Sequence, residues 1–156
     1  MKKSITIAVG CAIVLAGGIY AVSEKDPRIV PVHPNEVASI EIFNASLTTV
    51  PNDSEIQAMV VTESADVAKV IDRLNRIKPS DKAIPLDGDY TLVLHRNDGT
   101  ELVYVYEKGE MRTSTGFSGQ AKSDNVLNRL WSSLDYPVRD MKGEGLPAID
   151  NAEREG

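Results

Sequence analysis

Residues Ile5 to Val22 form an almost unbroken apolar run, interrupted only by Thr6 and small residues, with Lys2 and Lys3 before it and Glu24, Lys25 and Asp26 directly after it. A helix of that length measures about 27 Å, close to the hydrocarbon thickness of a bilayer. Such a segment cannot join the core of a small water-soluble domain, so it divides the chain. Residues 1–23 read as a signal peptide or N-terminal membrane anchor. The paired lysines stay on the cytoplasmic side, which sends everything after Val22 outward. Two fates remain open. Uncleaved, the run is a hydrophobic helix whose partner is the membrane through residues 5–22, and the protein is single-pass in the cell membrane with its C-terminal domain outside the cytoplasm. Cleaved near Ser23, where Ala21, Val22 and Ser23 offer small residues, the product is secreted. Lipidation of Cys11 is a third and poorer fit, because the apolar run continues well past it; a membrane-buried small hydrophobe describes this residue better.

Cys11 is the single cysteine of the chain, so the exported part carries no thiol and neither disulfide nor redox chemistry is open to it. Two histidines without ligand-like spacing leave no zinc motif, and no cofactor is expected. Removing Lys2 and Lys3 from the 17 cationic residues leaves 15 against 23 carboxylates, a balance of −8 from Glu24 onward. A polyanion needs a basic surface from which to release counterions, so nucleic acid is not an expected partner. Residues 24–36, with Pro27, Pro31 and Pro34 and no periodicity, read as a stiff spacer.

From Val37 the pattern becomes one of strands. Ile40 and Ile42 alternate with Ser39, Glu41 and Phe43, and a second alternating run spans Glu55 to Thr62. Ser64 is placed to cap a helix over Asp66 to Lys78, whose Val67, Val70, Ile71, Leu74 and Ile77 form one apolar stripe, with Lys69, Asp72, Arg73 and Arg76 elsewhere on the wheel. Tyr90, Leu92 and Leu94 begin a three-strand meander, turned by Asn97, Asp98 and Gly99 into Leu102 to Tyr106 and by Lys108 and Gly109 into Glu110 to Ser114. Gly116 to Ala121 reads as a loop. Ser123 or Asp124 caps a second helix with Val126, Leu127, Leu130, Trp131 and Leu134 as its stripe, ended by Pro137. The expected fold is α+β in the order ββαβββα: an antiparallel sheet of about five strands with two helices on one face, within residues 37–136. Residues 137–156 have little apolar content and read as a disordered tail.

Reactive constellations are thin. Asp87 and Asp89 flank Gly88 and with Asp98 make a loose acidic group, but without the full calcium-loop spacing, and aspartate beside glycine is ordinary turn chemistry. Gly116, Phe117, Ser118 and Gly119 resemble part of a nucleophile elbow with its second glycine one place early, and His95 is the one histidine on a regular element able to serve Ser118 as base. No residue is assigned a catalytic or metal-binding role. With helices on one face of the sheet, the other face is the expected binding surface. Parity alone leaves two sets open there, Tyr104 and Tyr106 on one side of the strands or Val93, His95, Val103 and Val105 on the other.

The helix Asp66 to Lys78, the Tyr-led strand after Asp89, the Asn97-Asp98-Gly99 turn, the Tyr-rich strand to Tyr106 and the closing helix with Leu127, Leu130 and Leu134 together resemble the YhfM-like domain of small exported bacterial lipoproteins. The resemblance spans roughly Val37 to Leu134. It implies export and supplies no catalytic position. The expected function is an exported, membrane-tethered, non-enzymatic domain that binds a protein or cell-envelope component. Two alternatives stand beside it: a small hydrolase or metal-dependent enzyme using Ser118 with His95 or Asp87, Asp89 and Asp98, and an acidic inhibitor or immunity-type protein for a basic target.

Overall fold

A computed structural model describes residues 31–45, 56–81 and 88–141. The expected N-terminal hydrophobic helix, the spacer before Pro31, Asp87 and the chain beyond Met141 lie outside these residues. The described parts build an α+β domain, two helices and one eight-stranded, wholly antiparallel sheet.

Four of the strands follow the alternation of the sequence: β1 (Val37–Asn44), β2 (Gln57–Val61), β4 (Tyr90–Arg96) and β5 (Glu101–Glu107), with β6 (Glu110–Thr113) completing the meander. Three short strands were not foreseen: β3 (Lys78–Pro79), β7 (Ser118–Gln120) and β8 (Arg139–Asp140). They raise the expected five strands to eight, in the order β3-β7-β6-β5-β4-β1-β2-β8. Both outer strands are two residues long and carry Lys78, Pro79, Arg139 and Asp140, which offers little edge for another chain to pair with.

The turns show why this meander forms. Gly99 has φ 84°, and the Asp98 carboxylate accepts bonds from the Thr100 N–H at 2.9 Å and hydroxyl at 2.6 Å, closing the β4–β5 connection. Those two bonds hold the exposed Asp98 carboxyl below its ordinary value. Lys108 and Gly109, at φ 45° and 88°, supply the two positive φ angles of a two-residue turn whose twist matches its strands.

Helix α1 (Ser64–Asn75) buries Val67, Val70, Ile71 and Leu74, the i, i+3, i+4, i+7 stripe. Ser64 is not its cap. The helix starts at Glu63 without a side-chain cap bond, and a distant residue takes that work: the Tyr136 hydroxyl accepts from the Glu63 N–H at 3.1 Å and donates to the Asp66 carboxylate at 3.2 Å. Helix α2 (Val126–Ser132) likewise starts after Asn125 rather than at Ser123 or Asp124 and has no side-chain cap. At seven residues it is too short to persist alone and depends on packing.

One face of the sheet is lined by Ile40, Ile42, Met59, Val61, Leu92, Leu94, Tyr104 and Tyr106, and these join the buried residues of both helices in the main core. The register accounts for the grouping: Ile42 sits opposite Leu92, Leu92 opposite Tyr104, and Tyr106 opposite Met111. The other face has a smaller cluster of Phe43, Ile56, Ala58, Val93 and Met141.

The connections repeat one arrangement. In β1-β2-α1-β3 two neighbouring strands lead into a helix, which crosses the sheet to a two-residue strand at the far edge; β6-β7-α2-β8 does the same in the opposite direction. Each unit thereby closes the edge of the other, about the β4–β5 hairpin. From β2 to β3 is six strand spacings, about 29 Å, and the 12-residue helix supplies about 18 Å of that span, the short connections at its two ends the rest. Helix α1 therefore runs across the sheet from one edge toward the other. Its C-terminal turn ends over the β3–β7 edge, where α2 begins.

The ordered domain also extends past both boundaries read from sequence. Val32, assigned above to the spacer, is buried in the main core, and its backbone N–H and C=O bond the Asn75 side chain at 3.3 and 3.0 Å. Pro34–Glu36 form a 3₁₀ turn stapled to the β4–β5 hairpin by the Arg96–Glu36 ion pair at 2.9 Å and by Asn97. At the other end β8 pairs with β2 beyond Tyr136, and Met141 is buried.

Candidate functional site

The register settles which side of the meander is accessible. Tyr104 and Tyr106 face the helices and are buried, 3% and 0% exposed, so they leave the candidate binding surface. The Tyr106 hydroxyl donates to the carbonyls of Ser123 at 3.2 Å and Asp124 at 2.9 Å, tying the central sheet to the start of α2. Val93, His95, Val103 and Val105 lie on the opposite face, but Val93 and Val105 are buried there as well. What that face shows to solvent at this end is a small polar group: His95 lies 3.0 Å from Glu101 and 3.7 Å from Glu41, and Arg139 lies 3.8 Å from Glu41.

Burial pushes the Tyr104 phenol from 10.0 up to about 12. The unfolded chain then ionises first, so this contribution to stability is intact below pH 10 and lost as pH rises toward about 12. The loss is about 2 to 3 kcal/mol. Urea midpoints measured at neutral pH and at about pH 11 should therefore fall more steeply for the wild type than for Tyr104→Phe; parallel falls would remove Tyr104 as the cause.

The reactive sets do not assemble. Ser118 is level with Arg112, Val105 and Thr91 across the sheet, so it lies three strands from β4 and four residues along it from His95, roughly 19 Å away. The glycine-rich segment at Gly116 is the connection between β6 and β7, with Gly116 at φ 83° and the Phe117 side chain buried. Asp89 and Asp98 bracket β4 at opposite ends, roughly 23 Å apart, and Asp89 accepts from the Lys108 N–H at 3.2 Å.

A different surface gathers uncompensated charge. Between α1 and α2, over the β3–β7 edge, two adjoining cavities of about 450 and 470 Å³ share Arg73, Lys122 and Val126 in their walls. The first adds Arg76 and Lys78, the second Lys69 and Arg129, and among the described residues no carboxylate lines either cavity. Arg76 pairs with Asp72 at 2.8 Å, and Lys69 lies 3.9 Å from Asp66 and 3.3 Å from the Ser133 carbonyl. Arg129 is held in place by neutral oxygens, Asn125 Oδ1 at 2.6 Å and Ser123 Oγ at 3.3 Å, which orient its guanidinium without cancelling its charge. Arg73, Lys78 and Lys122 have no carboxylate partner among the described residues. Six cations around one cleft, in a chain of net charge −6, form the site the sequence reading missed. Part of its signal was legible: Lys69, Arg73 and Arg76 recur at i, i+4 and i+7, a basic stripe beside the apolar one. Lys122 and Arg129 come from the far end of the chain and join them only through the crossing of the two helices.

No protein-family model matches the chain, and neither the curated proteins nor the solved structures include a match. Among the described residues no helix is long and apolar enough to cross a membrane; the run Ile5 to Val22 lies outside them.

Proposed function

We propose that this chain is an exported, membrane-tethered, non-enzymatic domain of the YhfM-like kind that binds an anionic component of the cell envelope through the cleft between α1 and α2. The observation that carries the reading is the charge of that cleft: among the described residues six cations and no carboxylate line it, and four of the six have no acidic partner there. Grouping like charges costs free energy, which a bound anion offsets. Arginine forks also match the paired oxygens of phosphates and carboxylates. The hydrolase alternative is weakened by the wide spacing of Ser118 and His95. The inhibitor alternative draws on an acidic surface for a basic target, and this cleft has the opposite sign.

Inorganic pyrophosphate titrated into the full-length protein tests this directly. Trp131 is the only tryptophan and lies on α2 next to the cleft residue Leu130, so its fluorescence reports on the site. Binding should weaken with added salt and fall about tenfold or more in the double variant Arg73→Glu, Lys122→Glu. Both side chains are exposed, so the fold should persist, as an unchanged urea midpoint will show. Equal affinity in the wild type and the double variant would place the anion elsewhere and remove the cleft from the argument.

A further inference from the structure

The cleft is not uniformly polar. Below its cations, Ile77, Pro79, Ala121 and Val126 line the first cavity, and Val126 continues into Leu130 in the second. A small hydrophilic anion engages the charges alone and leaves this apolar strip wet. An anion with an apolar tail uses both. The position of the cleft on the chain points the same way. Val32 docks on Asn75, one residue before Arg76 and three before Lys78, so the segment arriving from the expected anchor enters the domain beside the cleft. About nine residues, 23–31, separate Val22 from that point, a reach of at most about 30 Å. The basic cleft is thus held within one short tether of the lipid headgroups.

We propose that the cleft holds a net-anionic phosphate-headed lipid of the membrane to which the chain is tethered; this rests on the binding-domain reading above. Arg73 and Lys122, common to both cavities, meet the phosphate, whose two or more charge-assisted bonds suit a guanidinium fork and an ammonium together. Ile77, Pro79 and Val126 cover the first methylenes of the tail.

The experiment uses the full-length chain in phosphatidylcholine nanodiscs, titrated with ethyl phosphate and hexyl phosphate and followed by Trp131 fluorescence. A buried methylene contributes roughly a fourfold gain, so hexyl phosphate should bind roughly fifty-fold tighter than ethyl phosphate even with partial burial. Arg73→Glu, Lys122→Glu should lose both ligands. Discs doped with phosphatidylglycerol should compete with hexyl phosphate. Equal affinity for the two alkyl phosphates overturns the lipid assignment and leaves a simple anion site. Undiminished hexyl phosphate binding in the doped discs overturns it too, because the occupant is then not a bilayer lipid. Absence of binding by both alkyl phosphates and by pyrophosphate removes the cleft as an anion site altogether.

Discussion

Tyr106→Ala should destabilise the domain by about 3 to 5 kcal/mol, a large share of the 5 to 15 kcal/mol that separates a typical folded domain from its unfolded chain. The ring is completely buried and meets Tyr90 edge to face, with centroids 6.5 Å apart. It stands in the middle of the sheet, opposite Tyr90 on one side and Met111 on the other, so no loop can collapse into the space it vacates. Its hydroxyl has a separable role. Tyr106→Phe keeps the ring and deletes only the bonds to the Ser123 and Asp124 carbonyls, which should cost about 1 to 2 kcal/mol. Those carbonyls belong to the turn that launches α2, between Lys122 and Val126, both of which line the cleft. The Phe variant should therefore lose pyrophosphate affinity out of proportion to its small loss of stability. Urea unfolding and the fluorescence titration separate the two effects. A Tyr106→Ala protein within about 1 kcal/mol of wild type would show that the site relaxes and that the central sheet is less tightly packed than described.

That dependence of α2 on a sheet tyrosine explains much of what was and was not legible in the sequence. Elements with strong periods could be read directly. The stripe of α1, the alternation of β1 and β4 to β6 and the Asn97-Asp98-Gly99 turn each declare themselves within a dozen residues. The parity of the meander did not, because Tyr104 and Tyr106 are as apolar in bulk as Val93, Val103 and Val105 are in kind, and Val93 and Val105 are buried on their side as the tyrosines are on theirs. The deciding fact is that Leu92, sharing a register with Ile42 and Tyr104, lies under the helices, and register is a property of paired strands rather than of one. The short edge strands were hidden for a related reason. Lys78-Pro79 reads as the stop of a helix reaching Lys78, yet α1 already ends at Asn75 and these two residues pair with Gln120 and Gly119. Helix caps failed in the same way, since Tyr136 supplies from a distance what Ser64 was expected to supply locally. The cleft was obscured by averaging: a net charge of −6 says nothing about where cations gather, and helices crossing from opposite edges of the sheet bring together Arg73 and Lys122, 49 positions apart.

The β3–β7 edge under that cleft provides the second large effect. Gly119 is buried between Met111 and Pro79, its partners on the flanking strands. A Cβ at this position would lie 2.6 Å from the Phe117 ring, 2.7 Å from Ile77 Cγ2 and 2.8 Å from the Lys78 carbonyl oxygen. Two of these neighbours are buried side chains and the third is backbone, so none is a flexible tip that can swing aside. Gly119→Ala should therefore cost about 3 kcal/mol or more, at or above the upper end for overpacking, despite adding a single methyl group. The strain has a cheap exit: β3 is only two residues long and can separate from β7, taking Ile77 and Lys78 with it. The alanine variant should then retain its central strands while losing protection of the Ser80 N–H, which bonds the Ser118 carbonyl at 3.0 Å, and the cleft floor should open at Ile77. Hydrogen exchange locates the damage. Loss confined to residues 77–80 and 118–121 with weakened pyrophosphate binding is the expected pattern, because the anion site is assembled on this edge. Gly119→Ala with wild-type stability and wild-type exchange at Ser80 would mean that the edge is loosely packed and that β3 does not hold the cleft together.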